Sequence, residues 1–172
     1  MTSARAQEIV YDETHDGMHT IATDKKNVRS MKDKEVLHVG LTAILGTFNG
    51  EPTQHLFLSL NITSAAKIYV KQGDALTITL TDGQTINLTA LADDNNGMVG
   101  DIRYVNGQSF YDYTTRPAYE ITEEQINEIA TKGVTNVYCE TRPTSYRKEF
   151  KKDKIGAAIA ERWPLLQPYL QK

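Results

Sequence analysis

The sequence predicts an α+β domain that is mainly an antiparallel β-sheet or sandwich, with a short capped helix and a C-terminal helical tail. Two observations predict this class. Apolar and polar residues alternate in several segments between residues 35 and 89, which is the pattern of half-buried strands. A helix-start motif at Thr122–Gln125 and an apolar stripe after residue 153 follow the helical period instead.

The strands are predicted from alternation and from turn residues. Residues 35–44 and 56–62 alternate between apolar and polar side chains, and so do the two segments on either side of Asp82-Gly83. Aspartate-glycine between two such segments indicates a hairpin with a type I′ turn. Asn106-Gly107, between residues 102–105 and 109–113, indicates a second hairpin, after a loop over residues 93–100.

The N-terminal third is polar, with short apolar segments. Residues 8–11 and 18–22 are predicted to be edge strands joined by a turn at Asp16-Gly17. The polar stretch Lys25-Lys26-Asn27 is typical of a solvated turn. Ala4-Arg5-Ala6 has the small-x-small form that ends a signal peptide, but no apolar segment precedes it. Either residues 1–6 are a signal-peptide remnant from a longer precursor, or the match is chance.

The helix predicted over residues 122–132 has a complete set of end signals. Thr122 and Gln125 have the spacing of a capping box, and Gly133 is placed to end the helix with positive φ. A strand is predicted to follow over residues 134–140. The chain after Arg142 is predicted to be helical, with a helix that Asp153 caps and Pro164 ends.

Length and composition limit the functional classes. A chain of 172 residues predicts one domain, here residues 7–172. The net charge of −3 gives no reason to expect nucleic acid as a partner, and no apolar segment reaches the length of a membrane span. Cys139 is the single cysteine, so no intramolecular disulfide can form, and burial is its expected state.

A longer pattern covers roughly residues 68–155. It begins with Gly73-Asp74 and the strands around Asp82-Gly83, continues with Tyr119-x-Ile121-Thr122-x-Glu124-Gln125-Ile126, and ends with a strand at Glu140-Thr141. This pattern resembles small secreted proteins of unknown function from Bacteroidetes. The resemblance implies a fold of hairpin, capped helix and strand and a secreted or periplasmic location. It implies no catalytic residue and no cofactor.

An aromatic surface is the main candidate for binding. Aromatic faces stack on sugars and on partner proteins, and tyrosine is enriched in interfaces. The hypothesis is that one sheet face binds a protein or glycan, although alternate members of the set could instead fill the core of the sheet. The candidate residues are Arg103, Tyr104, Phe110, Tyr111, Tyr113 and Tyr119.

Other polar groups give weaker functional signals. His15 and His19 have helical metal-ligand spacing, but Asp16-Gly17 predicts a turn between them, so no metal is assigned. Residues 93–97 have calcium-loop composition in the wrong register. The basic run over residues 142–154 is typical of a solvated helix face more than of a nucleic-acid site.

Two functional hypotheses follow. The first is a non-catalytic secreted or periplasmic module that binds through the aromatic face. The second is a small hydrolase with His38 or His55 beside a carboxylate in a cleft. A deep pocket with such a pair in hydrogen-bond reach would favour the enzyme, and a shallow aromatic patch would favour the module.

Overall fold

The computed structural model describes residues 7–28, 35–94 and 98–170. The predicted signal-peptide remnant, residues 1–6, lies outside the described residues. A short 3₁₀ turn, Gln167–Tyr169, follows the last helix. The elements in chain order are β1 (Ile9–His15), β2 (Met18–Thr23), β3 (Lys26–Asn27), β4 (Val36–Phe48), β5 (Glu51–Ser64), β6 (Ala75–Leu80), β7 (Thr85–Thr89), β8 (Met98–Val105), β9 (Gln108–Thr115), β10 (Ala118–Glu120), α1 (Glu123–Lys132), β11 (Val134–Cys139), β12 (Tyr146–Glu149) and α2 (Ile155–Leu166).

Two antiparallel sheets account for most of the described chain. The larger sheet has the order β1-β2-β4-β5-β9-β8, with β3 beside β4 and β10 beside β5, and it curves into a half-barrel. The smaller sheet has the order β12-β11-β6-β7. The helices α1 and α2 pack on each other, and α2 also packs on β2 and β4. The predicted α+β class with mainly antiparallel strands is therefore confirmed.

The core joins residues from both sheets and both helices in one cluster. Along β4, Leu37, Val39 and Leu41 are buried, and the residues opposite them on β5, among them Leu58 and Leu60, are buried as well. Full burial of one such side chain contributes about 1.5–3 kcal/mol. The alternation read from the sequence is thus the pattern that places one face of the larger sheet in the core.

Three hairpins of the larger sheet close with two-residue turns. Both residues have positive φ in Asp16-Gly17, Asn49-Gly50 and Asn106-Gly107. This is the type I′ geometry, whose twist matches that of the flanking strands. The turns predicted at residues 16–17 and 106–107 are confirmed.

The type I′ turn predicted at Asp82-Gly83 is wrong. Only Gly83 of the two has positive φ. Gly83 donates its N–H to the carbonyl of Leu80 at 3.0 Å, and Leu80 donates to the carbonyl of Gln84 at 2.8 Å. The connection is therefore a three-residue loop, in which a type I turn is followed by one glycine with positive φ.

The capped helix forms as predicted. The Thr122 hydroxyl accepts from the Gln125 N–H at 3.2 Å, and the Gln125 side chain accepts from the Thr122 N–H at 3.0 Å. Gly133 ends the helix with φ of 79°. A Cβ atom there would lie 3.0 Å from Cγ of Asp153, so both backbone angle and space require glycine.

The structure corrects the prediction that the chain after Arg142 is helical. Tyr146–Glu149 forms β12, an edge strand of the smaller sheet. Tyr146 and Lys148 are buried and Arg147 and Glu149 are exposed, so two of the six basic residues of the run, Arg147 and Lys148, lie on a strand. Charged residues on an edge strand discourage pairing with other chains.

The second helix begins where predicted but ends later. The N-cap residue is Lys154, and the preceding Asp153 accepts from the N–H groups of Gly156 at 2.8 Å and Ala157 at 3.0 Å, so Asp153 supplies the capping bonds from one position earlier than predicted. Pro164 does not end α2, which continues to Leu166. A proline in the last turn removes one helical hydrogen bond, and the buried side chains of Trp163 and Leu166 hold the turn in place.

Two predicted loops are shorter than expected. The loop over residues 93–100 gives way to β8 at Met98. The predicted solvated turn at Lys25-Lys26-Asn27 contains β3, which pairs with β4, and Lys25 is half-buried. In both cases residues whose local composition predicts a loop form a strand because they pair with a neighbouring strand.

Candidate functional site

The second predicted hairpin forms a two-stranded arm at one edge of the larger sheet. β9 pairs with β5 through Tyr113–Thr115, whereas the ladder between β8 and β9 continues to Val105 and Gln108. Within the described part of the chain, the strands over residues 102–111 therefore pair only with each other. We call residues 102–111 the hairpin arm.

The hairpin arm exposes an unusual amount of apolar surface. Single exposed apolar residues are normal on any protein, but several within ten residues of one hairpin form a patch. Tyr104 is the most exposed of them, at 76%. The large apolar residues that the arm leaves exposed are Ile102, Tyr104, Val105, Phe110 and Tyr111.

The strand register divides the predicted aromatic residues between two faces. Residues directly opposite each other in an antiparallel pair share a face. Ile102 lies opposite Tyr111, and Tyr104 two residues further along shares their face. Arg103 lies opposite Phe110 on the other face. The arm therefore presents apolar groups on both faces, and the ring–ring contacts found between described residues involve none of its aromatic rings.

The other two predicted residues lie in the body of the domain. Tyr113 is half-buried where β9 joins β5. Tyr119 lies on β10 with 0% exposure, opposite Leu58 of β5. Tyr119 is thus a core residue and does not form a surface with the hairpin arm.

Tyr119 contacts the single cysteine inside the core. Its hydroxyl lies 2.9 Å from Sγ of Cys139, which is also fully buried. Burial is the main cause that raises the pKa of the Tyr119 hydroxyl, and Cys139 adds to it. Burial likewise raises the pKa of the Cys139 thiol to about 11. Both groups are therefore protonated at neutral pH, and Cys139 lacks the thiolate that a nucleophile or metal ligand requires.

An ion pair with a buried carboxylate lies near this contact. The Asp74 carboxylate accepts from the Arg142 guanidinium and from the Lys71 N–H, the latter at 2.8 Å. Burial opposes ionisation of Asp74, but these donors outweigh it and lower its pKa. The pair joins the chain segment before β6 to the segment after β11, which is a structural role.

An open cleft of about 770 Å³ lies at the base of the hairpin arm. Arg103 forms one wall and donates to Asp112 at 2.9 Å, so the arm's one predicted charged residue has a carboxylate partner. Glu35, His38 and Ser64 also line the cleft. Asp112 is not among the residues predicted from the sequence, although a two-residue turn at Asn106-Gly107 fixes the strand register that brings it beside Arg103.

Three histidines of the described residues have carboxylate partners, and the pair of His15 with Asp16, at 3.2 Å, lies at an exposed turn. His55 Nδ1 lies 2.8 Å from Glu120 Oε1, and His19 Nε2 lies 2.6 Å from Asp12 Oδ1. The side chains of His55 and Glu120 are 52% and 58% exposed, so this pair sits on an open surface. His38 lies in the cleft of the arm, and His55 is not among the cleft's lining residues.

Neither a metal-binding group nor a membrane-spanning helix is found among the described residues. Those residues contain no group of three or more histidine, cysteine, aspartate or glutamate side chains that could hold a metal ion. Among the same residues, no helix has the length and apolar character to cross a membrane.

Comparison of the chain with protein-family models, with curated proteins and with solved structures found no match.

Proposed function

We propose that this chain is a non-catalytic binding module, secreted or periplasmic, that binds a partner protein through the hairpin arm. The observation that supports this proposal most strongly is the concentration of exposed apolar side chains on residues 102–111. Patches of this kind mark interaction sites, because a soluble protein gains nothing from leaving them in water. Tyrosine is also among the residues that dominate binding energy in interfaces.

A protein fits the arm better than a glycan. Sugars stack on aromatic rings that have polar neighbours, whereas the arm adds Ile102 and Val105 to its aromatic residues. Apolar groups on both faces suit insertion between two surfaces of a partner. In addition, β8 is an edge strand, and its outer backbone groups can pair with a strand of another protein.

The proposed location rests on the resemblance to secreted Bacteroidetes proteins noted for residues 68–155. A secreted or periplasmic address also suits a module whose role is to contact another protein in the cell envelope. Fractionation of source cells tests it, since the protein should appear in the periplasmic or extracellular fraction.

The hydrolase alternative has one observation in its favour, the hydrogen-bonded pair of His55 and Glu120. Its weakness is the position of the pair, which lies on an open surface where water competes for every hydrogen bond. The His55→Ala variant separates the two hypotheses, because it should leave partner binding unchanged and would abolish any activity that depends on the pair.

Photo-crosslinking tests the binding proposal. A benzophenone amino acid replaces Tyr104 in one protein and Phe48 in a second. Phe48 is a matched control because it is 70% exposed at the end of a different hairpin. After irradiation with an envelope fraction, we expect a discrete cross-linked protein from position 104 and none from position 48.

Competition defines the specificity of that cross-link. Excess wild-type protein should remove it, and the variant with Tyr104→Ser, Phe110→Ser and Tyr111→Ser should not. Equal competition by both proteins, or adducts of equal yield from positions 48 and 104, would refute the proposal. Retention of the wild type on glycans, lost in the triple variant, would assign the arm to a carbohydrate instead.

A further inference from the structure

A second candidate site lies on β2 and β3, away from the hairpin arm, and begins with an irregularity in strand pairing. Ala22 pairs with Thr42 and Lys26 pairs with Val39, so three residues of one strand lie opposite two of the other. This arrangement is a β-bulge, a feature that re-aims side chains and is common beside functional sites. The Thr23 hydroxyl accepts the Leu41 N–H at 3.0 Å within the bulge.

The bulge gives Asp24 and Lys25 different partners. Asp24 accepts from the guanidinium of Arg162, which is 2% exposed on α2. Lys25 crosses β4 instead and donates to Oδ1 of Asn61 on β5 at 2.6 Å. A regular strand would place neighbouring side chains on opposite faces in fixed alternation, and the extra residue breaks that alternation.

Gly40 provides the space through which Lys25 passes. A Cβ atom at position 40 would lie 2.8 Å from Cγ of Lys25 and 3.0 Å from the carbonyl oxygen of Asp24. Glycine at position 40 therefore leaves the space that the Lys25 side chain occupies as it crosses β4. This fit indicates that the position of the Lys25 ammonium is determined by the fold.

The charge of Lys25 has no carboxylate partner among the described residues. Its hydrogen bond to the described residues goes to a neutral amide, although an ammonium has three donors. Burial lowers the pKa of Lys25, and the nearby positive charge of Arg116 lowers it further. Arg162, the other buried cation of this region, is already neutralised by Asp24 at 2.7 Å and lies 3.3 Å from Glu161.

A cavity of about 810 Å³ opens beside Lys25. Its volume is within the range of sites that bind small molecules. Three hydroxyl residues line it: Thr23, whose hydroxyl is bonded to the backbone of the bulge, and Thr42 and Ser59, whose hydroxyl groups lie 3.0 Å from each other. The carboxylates of Glu8 and Glu161 also line the cavity, and with that of Asp24 they balance the charges of Lys25, Lys26 and Arg162, so a ligand with several negative charges gains little there.

We infer that this cavity binds a small hydroxylated carboxylic acid. The ligand's carboxylate pairs with the ammonium of Lys25, and its hydroxyl groups bond to Thr42 and Ser59. One negative charge is enough to neutralise the Lys25 ammonium, whereas the carboxylates of Glu8 and Glu161 would repel the second charge of a phosphate dianion. This inference is independent of the hairpin arm and of its partner.

A matched pair of sugars provides the test. Glucuronate and glucose differ only in whether carbon 6 is a carboxylate, and calorimetry at neutral pH and low salt measures both. We expect glucuronate, or gluconate as the open-chain probe, to bind at least tenfold more tightly than glucose. In the Lys25→Met variant, glucuronate should bind no more tightly than glucose. In the Lys26→Met variant, which changes another residue of the cavity lining, glucuronate should still bind more tightly.

Two further measurements separate a site from a folding effect. The Cε resonance of Lys25 in ¹³C-lysine-labelled protein reports its pKa, which a bound carboxylate should raise. Gly40→Ala should weaken binding through displacement of Lys25, and circular dichroism shows whether each variant is folded. Equal affinity for acid and neutral sugar, no binding of either acid, or preference for inorganic phosphate would overturn the inference.

Discussion

The guanidinium of Arg162 lies 2.7 Å from the Asp24 carboxylate, although the two residues are 138 positions apart. Nε of Arg162 also donates to the backbone carbonyl of Asp24 at 2.9 Å. These bonds fasten the C-terminal helix to the bulge between β2 and β3. They also satisfy a charged group that is almost fully buried, which an interior site requires.

Replacement of Arg162 by methionine should destabilise the domain strongly. Methionine keeps much of the aliphatic volume, but Asp24 loses its cation. Removal of one partner of a buried pair costs about 3–5 kcal/mol, and we expect about 2–4 kcal/mol because Asp24 is partly exposed. Urea unfolding followed by circular dichroism measures the difference.

A double-mutant cycle isolates the contribution of the pair. Asp24→Asn combined with Arg162→Met should be less destabilised than the sum of the single variants, because neither charge is then left alone. Additive losses would show that Arg162 stabilises the fold by packing and through its bond to the Asp24 carbonyl.

The capping box of α1 gives a smaller predicted effect. Thr122→Ala removes the acceptor of the Gln125 N–H and should cost about 1 kcal/mol of unfolding free energy. Thr122→Ser keeps the hydroxyl and should stay within a few tenths of wild type. A loss of stability in Thr122→Ser equal to that in Thr122→Ala would assign the effect to the lost methyl group.

Elements with local signals were predictable from the sequence. The capping box at Thr122 and Gln125 and the turn at Asn106-Gly107 each depend on residues within four positions of one another. The sequence does not predict strand β12, because the charged residue Lys148 occupies a buried position and interrupts the alternation of apolar and polar residues. Its ammonium lies 5.4 Å from the ring centre of Phe150, so its aliphatic stem packs inward while the charge contacts an aromatic face.

The candidate sites depended more on contacts between distant residues. Tyr104 and Tyr119 look alike in sequence, yet one is exposed and the other is in the core because β10 pairs with β5. Lys25 looked like a solvated turn residue because a β-bulge has no sequence signal of its own here. Its environment is created by Gly40 and Asn61, which belong to strands later in the chain.

Cys139 should be unreactive in the native protein. Its thiol is buried, and burial raises its pKa to about 11, so almost no thiolate exists at pH 8. We expect Ellman's reagent to modify the native protein far more slowly than free cysteine, and to modify one thiol per chain in urea. Native modification at the rate of free cysteine would show that the core around Tyr119 opens readily.

Tyr119 should make the fold less stable in alkali. Its pKa is raised in the folded state, chiefly by burial, and lies near 10 in the unfolded chain. The stabilisation is complete below pH 10 and is lost as pH rises, because the unfolded chain then releases a proton that the folded chain retains. At pH 11 the stability lost in this way amounts to roughly 1 kcal/mol. Urea unfolding at pH 8 and pH 11 should therefore show a smaller loss in Tyr119→Phe than in wild type, whatever the variant's stability at pH 8. Equal losses in the two proteins would mean that Tyr119 ionises in the folded state, against the effect of its burial beside Cys139.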